Sequence, residues 1–301
     1  MVNQARLCHN NRRSSTPMYS FGIKVPRNVK QALEYDKENG NIKWQDAMTL
    51  EIDNVQAYST FKDMGKVNFV PGYKKIIVHF VFAVKHDLRH KARLVAGGHL
   101  TDPTMEGSYS SVVSLRSLRI CLTAAELNGL DTMVGDITSA YLEAETTEKV
   151  CFTAGPEFGA LEGHTFIIFK ALYGLRTSGA SWHQRFSDTL RDLGYFPCKA
   201  DPDVWIKDCD THYEYVCAYV DDIMNMSKKP QAFFDALKTN YNYKLAGVGE
   251  PSYHLGGNFY RDADGTLAWG AQAYVKKMLM AYEKLFGSQP KEFSCPIEEG
   301  D

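Results

Sequence analysis

Three aspartates have the residue types and neighbours that could do chemistry. Asp221 and Asp222 are adjacent within Tyr213–Met226, between two β-prone apolar runs, the first of them rich in the tyrosine and valine that favour a pleated, half-buried surface. A turn chosen for folding alone would carry Asn-Gly or Asp-Gly. Asp-Asp instead sets two like charges side by side against buried strands, which is costly unless a cation lies there. Asp136 ends another apolar run, Thr132–Ile137, and Tyr141 follows it five residues on. Three carboxylates suit a pair of Mg2+ ions, which take oxygen ligands, keep several waters and share substrate phosphates. Two such ions, about 3.5–4 Å apart, can activate an attacking 3′-hydroxyl and stabilise a leaving pyrophosphate. A solvated acidic turn and a strand-end cap are the plainer uses of the same residues.

The rest of the chain must position these groups. Its 301 residues can bury a large core, and its composition, 44% hydrophobic and 23% charged, is that of a soluble globular protein. The longest apolar candidate, Lys75 to Val84, is broken by His79 and falls short of a membrane span. Seven cysteines with no C-x-x-C pair argue against a disulfide framework or a cysteine zinc site, and fit a reducing compartment. His86 and His90 share a helical spacing but have no third ligand nearby, so they read as solvated histidines. The net charge of −2 argues against a protein that coats nucleic acid indiscriminately, yet the charge is uneven. Residues 1–30 hold six Lys/Arg and no acid, and residues 62–99 hold eight Lys/Arg against two aspartates. Residues 131–148 carry five acids and no Lys or Arg. A basic zone and an acidic one are what phosphate binding beside cation binding requires, and also what two solvated faces would show.

Residues 1–40 are polar and read as a flexible N-terminal tail or linker. A helix follows on the spacing of Trp44, Ala47, Met48, Glu51, Ile52 and Val55. A strand over Ile76–Val84 pairs back through Asp87–Arg89 with Lys91–Ala96, making a basic hairpin. Helical spacing recurs over Leu115–Leu127, Ser181–Leu193, Ala232–Tyr241 and residues 273–286, with Gly194 where a helix stop belongs. Strands are expected at Thr132–Ile137 and Phe166–Phe169, and a short helix or turn at Thr138–Glu143. Residues 253–260 and 265–269 form a late hairpin. Strands and helices mix without a βαβ rhythm, so the fold class is α+β.

Taken in order, these motifs resemble the reverse transcriptase domain of copia-type LTR retrotransposons. The match rests on Tyr219-Val220-Asp221-Asp222, Asp136 with Tyr141, and Leu172-Tyr173-Gly174-Leu175-Arg176 with Trp182. Trp44, Ala47, Met48 and Glu51, the segment Lys91–Ala96, and Leu255-Gly256 extend it over roughly residues 44–285. The resemblance implies a right-hand polymerase fold, with a palm of antiparallel sheet backed by helices. Fingers would occupy about 41–125 and 150–175, palm about 126–149 and 176–260, and a partial thumb the chain from about 261, with a C-terminal tail at 286–301. It implies that Asp136, Asp221 and Asp222 are the catalytic, metal-holding carboxylates, binding two Mg2+ with Mn2+ as a substitute. Lys85 and Arg93 would grip the dNTP triphosphate, where a planar guanidinium suits phosphate. Tyr141 would exclude a 2′-hydroxyl, and Tyr173 and Gly174 would lie beneath the nucleotide and template base. Leu255 and Gly256 would hold the primer terminus, and Lys244 could protonate pyrophosphate.

The partners implied are an RNA or DNA template with its primer, and dNTPs, with no membrane. The implied location is cytoplasmic, in virus-like particles, or nuclear. The family pattern carries prolines where this chain has Thr177-Ser178-Gly179 and Ser110-Ser111, which leaves local rigidity to be supplied otherwise. The family's polyprotein is longer, so the chain reads as a fragment or a truncated genomic copy. A decayed domain that binds primer–template without turnover, and a two-metal phosphoesterase, are the competing functions.

Overall fold

The computed structural model describes residues 17–85, 87–101 and 107–292. His86, the first sixteen residues of the expected tail and the last nine of the chain lie outside the described residues. The described chain forms two compact units: one runs to Ser111 and resumes over Ser139–Leu193, the other comprises Val112–Thr138 and the chain from Gly194.

The first unit opens on a hairpin of β1 (Met18–Ser20) and β2 (Ile23–Val25), followed by α1 (Val29–Glu38) and α2 (Lys43–Ala57). Residues 17–40 are therefore not a tail. Val25 and Ala32 enter the core, and the polarity that suggested a linker has a structural use. Asp36 is 1% exposed, and its carboxylate accepts the backbone N–H groups of Trp44 and Gln45 at 3.0 Å. It thereby caps α2, whose own preceding residue Ile42 offers no side-chain acceptor. The stripe predicted for α2 is the buried one: Trp44, Ala47, Met48, Ile52 and Val55.

Next come β3 (Phe61–Asp63), β4 (Lys74–Lys75), β5 (Val78–Val84) and β6 (His90–Ala96). The strand expected over Ile76–Val84 begins two residues later, at Val78. Lys74–Lys75 pairs elsewhere, and β5 pairs with β6 from Val78↔Ala96 to Val84↔His90, as the basic hairpin anticipated. The chain then enters the second unit for α3 (Leu115–Leu127), capped by the Ser114 side chain, and β7 (Asp131–Ile137). Returning to the first unit, it forms a 3-10 turn at Ala140–Glu143, β8 (Val150–Thr153), β9 (Thr165–Ile168) and α4 (Ser178–Asp192). The sheet there has the order β3-β9-β8-β4, with β4 and β8 parallel.

The second unit continues with β10 (Phe196–Pro197), β11 (Val204–Asp208), β12 (Tyr213–Tyr219), β13 (Asp222–Ser227), α5 (Pro230–Asn240) and β14 (Leu245–Gly249). Its antiparallel sheet runs β10-β11-β12-β13-β7-β14. α3 packs on it through Leu118, Cys121, Leu122 and Ala125, which join Val134, Met224 and Met226 in one core. α5 lies against β7, β13 and β14, and Gly135 is the reason it can. A Cβ at that position would stand 2.7 Å from Phe234 of α5. The chain closes with β15 (Tyr253–His254), β16 (Gly257–Arg261), β17 (Leu267–Gly270) and α6 (Gln272–Phe286).

The mixed α+β class is as expected. The two units divide the chain at residues 111/112, 138/139 and 193/194. α3, placed with the fingers, packs on the six-stranded sheet because its apolar stripe meets Val134 and Met224. Residues 139–149 and 176–193, placed with the palm, fold into the first unit. Among the described residues, no helix is long and apolar enough to cross a membrane.

Candidate active site

The carboxylates are built from two strands and one turn, all in the second unit. β13 pairs with β7 so that Asp222 lies directly opposite Asp136. Cross-strand partners project from the same face, so the pairing brings the two side chains together. Asp221 sits in the turn that joins β12 to β13, with Tyr219 opposite Asp222 and only Val220 and Asp221 between them. The Asp221 carbonyl accepts the Ile137 N–H at 2.8 Å, which ties the turn to the end of β7. Val220 has φ +59°, a left-handed conformation that a β-branched residue rarely takes. Such strain costs on the order of 1–3 kcal/mol and persists where the surroundings over-determine it. Glycine here would relieve the strain, so its absence marks a turn shaped by something besides ease of folding.

The electrostatics agree with the geometry. Burial, then the charge of Asp221, then that of Asp136, push the Asp222 carboxyl up to about 6. All three influences act against ionisation. A donor set of carboxylate oxygens alone suits Mg2+ or Mn2+ better than softer cations. The residues present therefore fit the divalent ions that the sequence implies. Asp136, Asp221 and Asp222 would hold them.

In the first unit, several residues expected to bind nucleotide meet one another. The Arg93 guanidinium lies 5.0 Å above the Tyr173 ring, and the Tyr141 and Tyr173 rings are 5.2 Å apart. Alternation along β6 buries Ala92 and Leu94 and leaves Arg93 exposed. Glu51 supports this hairpin from α2, accepting the Leu94 N–H at 3.1 Å, and burial raises its pKa. Gly174 has φ +92°, and a Cβ there would stand 2.2 Å from the Ala96 carbonyl. Only glycine lets the turn pass so close to β6, and the Ala96 N–H donates to the Tyr173 carbonyl at 2.7 Å. Lys85 is exposed just past β5, where its N–H donates to the Arg89 carbonyl.

Leu255 and Gly256 form the turn between β15 and β16, both at positive φ, +46° and +84°. The Leu255 side chain packs on the second unit's core. Lys244 lies beside the carboxylate strand, its carbonyl accepting the Thr138 N–H at 2.8 Å. The acid-rich stretch 131–148 is not one cation site. Glu148 is buried, and one of its oxygens accepts both the N–H and the hydroxyl of Thr177 at 2.9 Å. Together with the Ser178 hydroxyl on the Leu172 carbonyl, it supplies the rigidity that a proline after the Tyr173-Gly174 turn would otherwise give. Sequence reasoning missed this pairing because its partners are 29 residues apart with no periodic signal.

Comparison with known proteins decides the family. The sequence model described as "Reverse transcriptase (RNA-dependent DNA polymerase)" matches residues 63–296. The chain belongs to this reverse transcriptase family. Similar curated proteins are a retrovirus-related Pol polyprotein from transposon TNT 1-94 of Nicotiana tabacum and the transposon Ty1-MR1 Gag-Pol polyprotein of Saccharomyces cerevisiae. The first is 24% identical over 90% of this chain and 21% of its own length, the second 28% over 76% and 13%. The Pol polyprotein from transposon RE1 of Arabidopsis thaliana is 26% identical over 80% of this chain and 17% of its own length. The chain thus spans about a fifth or less of these relatives. The copia-type resemblance drawn from the motifs holds, and the aspartates belong to a reverse transcriptase domain.

Proposed function

We propose that this reverse transcriptase domain is an RNA-directed DNA polymerase that extends a primer by attack of its 3′-hydroxyl on the α-phosphate of a dNTP, releasing pyrophosphate. The observation that carries the reading is the placement of Asp136 opposite Asp222, with Asp221 at a strained turn tied to the same strand end. In this reading the six-stranded sheet with α3 and α5 is the palm, the first unit contains the fingers, and α6 begins the thumb.

Asp136 and Asp221 are the principal ligands of two Mg2+ ions, with Mn2+ as a substitute, and Asp222 is a secondary one. Bound there, the ions would supply Lewis-acid activation of the primer hydroxyl and charge stabilisation of the leaving pyrophosphate. Arg93, with Lys85, grips the triphosphate through charge-assisted hydrogen bonds. Tyr141 bars a 2′-hydroxyl by its bulk, and Tyr173 and Gly174 support the nucleotide and template base. Leu255 and Gly256 hold the primer end, and Lys244 donates a proton to pyrophosphate. Template and primer are recognised through backbone and shape, because a copying enzyme must ignore sequence.

The test is primer extension on an RNA template with Mg2+ and dNTPs, run beside Asp221→Asn. Extension by the wild type that is lost in the folded variant supports the reading. Nucleic-acid binding without extension, in Mg2+ or Mn2+, contradicts it, and so does an active Asp221→Asn protein.

A further inference from the structure

The turn between β11 and β12 gathers three side chains that polymerisation leaves unused. Cys209 and His212 lie in the turn, and Glu214 is the second residue of β12, opposite Lys207. Asp210 at φ +62° and a 3.0 Å bond from the Cys209 N–H to the His212 carbonyl fold the segment back on itself. One potential ligand atom from each of Cys209, His212 and Glu214 then lies within 4.8 Å of the other two, all on half-buried residues. Among the described residues, this is the group of metal-ligating side chains drawn together that tightly.

The surrounding bonds orient these donors. His212 Nδ1 is 3.0 Å from the Thr211 hydroxyl. With the Nδ1 proton donated there, the Nε2 lone pair is left for another partner. That Nε2 is buried and has no hydrogen-bond partner among the described residues. Glu214 Oε1 stands 3.6 Å from it, too far for a hydrogen bond and close enough for an ion pair when the ring is charged. The Glu214 carboxylate is itself steadied by the Lys228 N–H at 3.1 Å and the Tyr195 hydroxyl at 3.4 Å. An orphaned imidazole nitrogen beside a thiol and a hydrogen-bonded carboxylate has the pattern of a metal centre with its outer supports in place.

We propose that Cys209, His212 and Glu214 bind one divalent cation of the zinc class, at a site separate from the aspartates. Sulfur and imidazole ligands select zinc-like ions and are poor ligands for Mg2+. Three protein ligands leave a fourth tetrahedral position for water. Binding forms a metal–sulfur bond and releases the thiol proton to solvent. The ion pins the β11–β12 turn and takes no part in catalysis. β12 runs five residues from Glu214 to Tyr219, which faces Asp222, so the two sites are roughly 17 Å apart along the strand. The inference does not depend on the polymerase reading.

Co2+ is the probe, titrated into the metal-stripped full chain with Mg2+ in excess to occupy the carboxylates. The expected result is one equivalent bound, with tetrahedral visible bands and a thiolate-to-cobalt absorption in the near ultraviolet, both displaced by Zn2+. Cys209→Ser should remove the near-ultraviolet band, and His212→Gln should weaken binding by roughly tenfold or more. Cys198→Ser and Asp221→Asn should leave both signals intact. Circular dichroism confirms that each variant is folded. No charge-transfer band, or one that survives in Cys209→Ser, overturns the proposal and leaves His212 and Glu214 as an ion pair.

Discussion

Replacing Asp222 by Asn makes a prediction with an unusual sign. Carboxylates usually stabilise a fold as they ionise, but Asp222 is held at about 6, above its ordinary 3.8, by burial and by the charges of Asp221 and Asp136. Below pH 3.8 the group is protonated in both folded and unfolded chains and contributes nothing. Between 3.8 and 6 the unfolded chain loses the proton first, so stability falls as pH rises, and above 6 the full penalty applies. A shift of that size is worth at most about 3 kcal/mol, and screening at a half-buried site reduces it to the order of 1–2 kcal/mol. Asp222→Asn should therefore be more stable than the wild type at pH 7.5 in EDTA, by that amount, and should lose the corresponding slope between pH 4 and 6. Adding Mg2+ should narrow the gap, because cation binding rewards the charged site and not the amide. A chain of two units need not unfold in one step, so hydrogen exchange of β12 and β13 peptides is the assay that reports this sheet directly. A variant less stable than the wild type at pH 7.5 in EDTA, or an unchanged pH slope, would refute the reasoning.

Other outcomes follow from particular contacts. Tyr141→Ala should incorporate ribonucleotides more readily at little cost in dNTP use; unchanged discrimination in a competition assay returns Tyr141 to simple packing against Tyr173. Gly135→Ala should lose about 1–3 kcal/mol in urea titrations because its Cβ would meet the Phe234 ring at 2.7 Å. Phe234→Leu in the same chain should recover part of that loss, and strictly additive effects would show that the ring is not what the glycine accommodates.

The legible parts of this chain were those with strong periodicity or a demanding local chemistry. The apolar stripe of α2, all of α3, and the β12–β13 hairpin follow directly from spacing, and the three aspartates stand out because their charges oppose their surroundings. The first helix was hidden by its polarity: Asp36 is buried not as an apolar residue but as the acceptor for the next helix's N–H groups. The division into units was hidden because the chain leaves the first unit and returns, and nothing local in α3 says which sheet its stripe will meet. Glu148 looked like one more acid of a cation site until Thr177 gave it a partner. The Cys209–His212–Glu214 group was not visible, since no sequence pattern announces a turn that folds three unlike donors together.

The central claim is that Asp136, Asp221 and Asp222 form one cation site. A crystal of the chain soaked in Mn2+ and measured at the manganese absorption edge tests it directly. The account predicts anomalous density between the end of β7 and the β12–β13 turn, within bonding distance of Asp136 and Asp221, and its loss in Asp221→Asn. Manganese bound elsewhere, with those carboxylates solvated and uncoordinated, would contradict it.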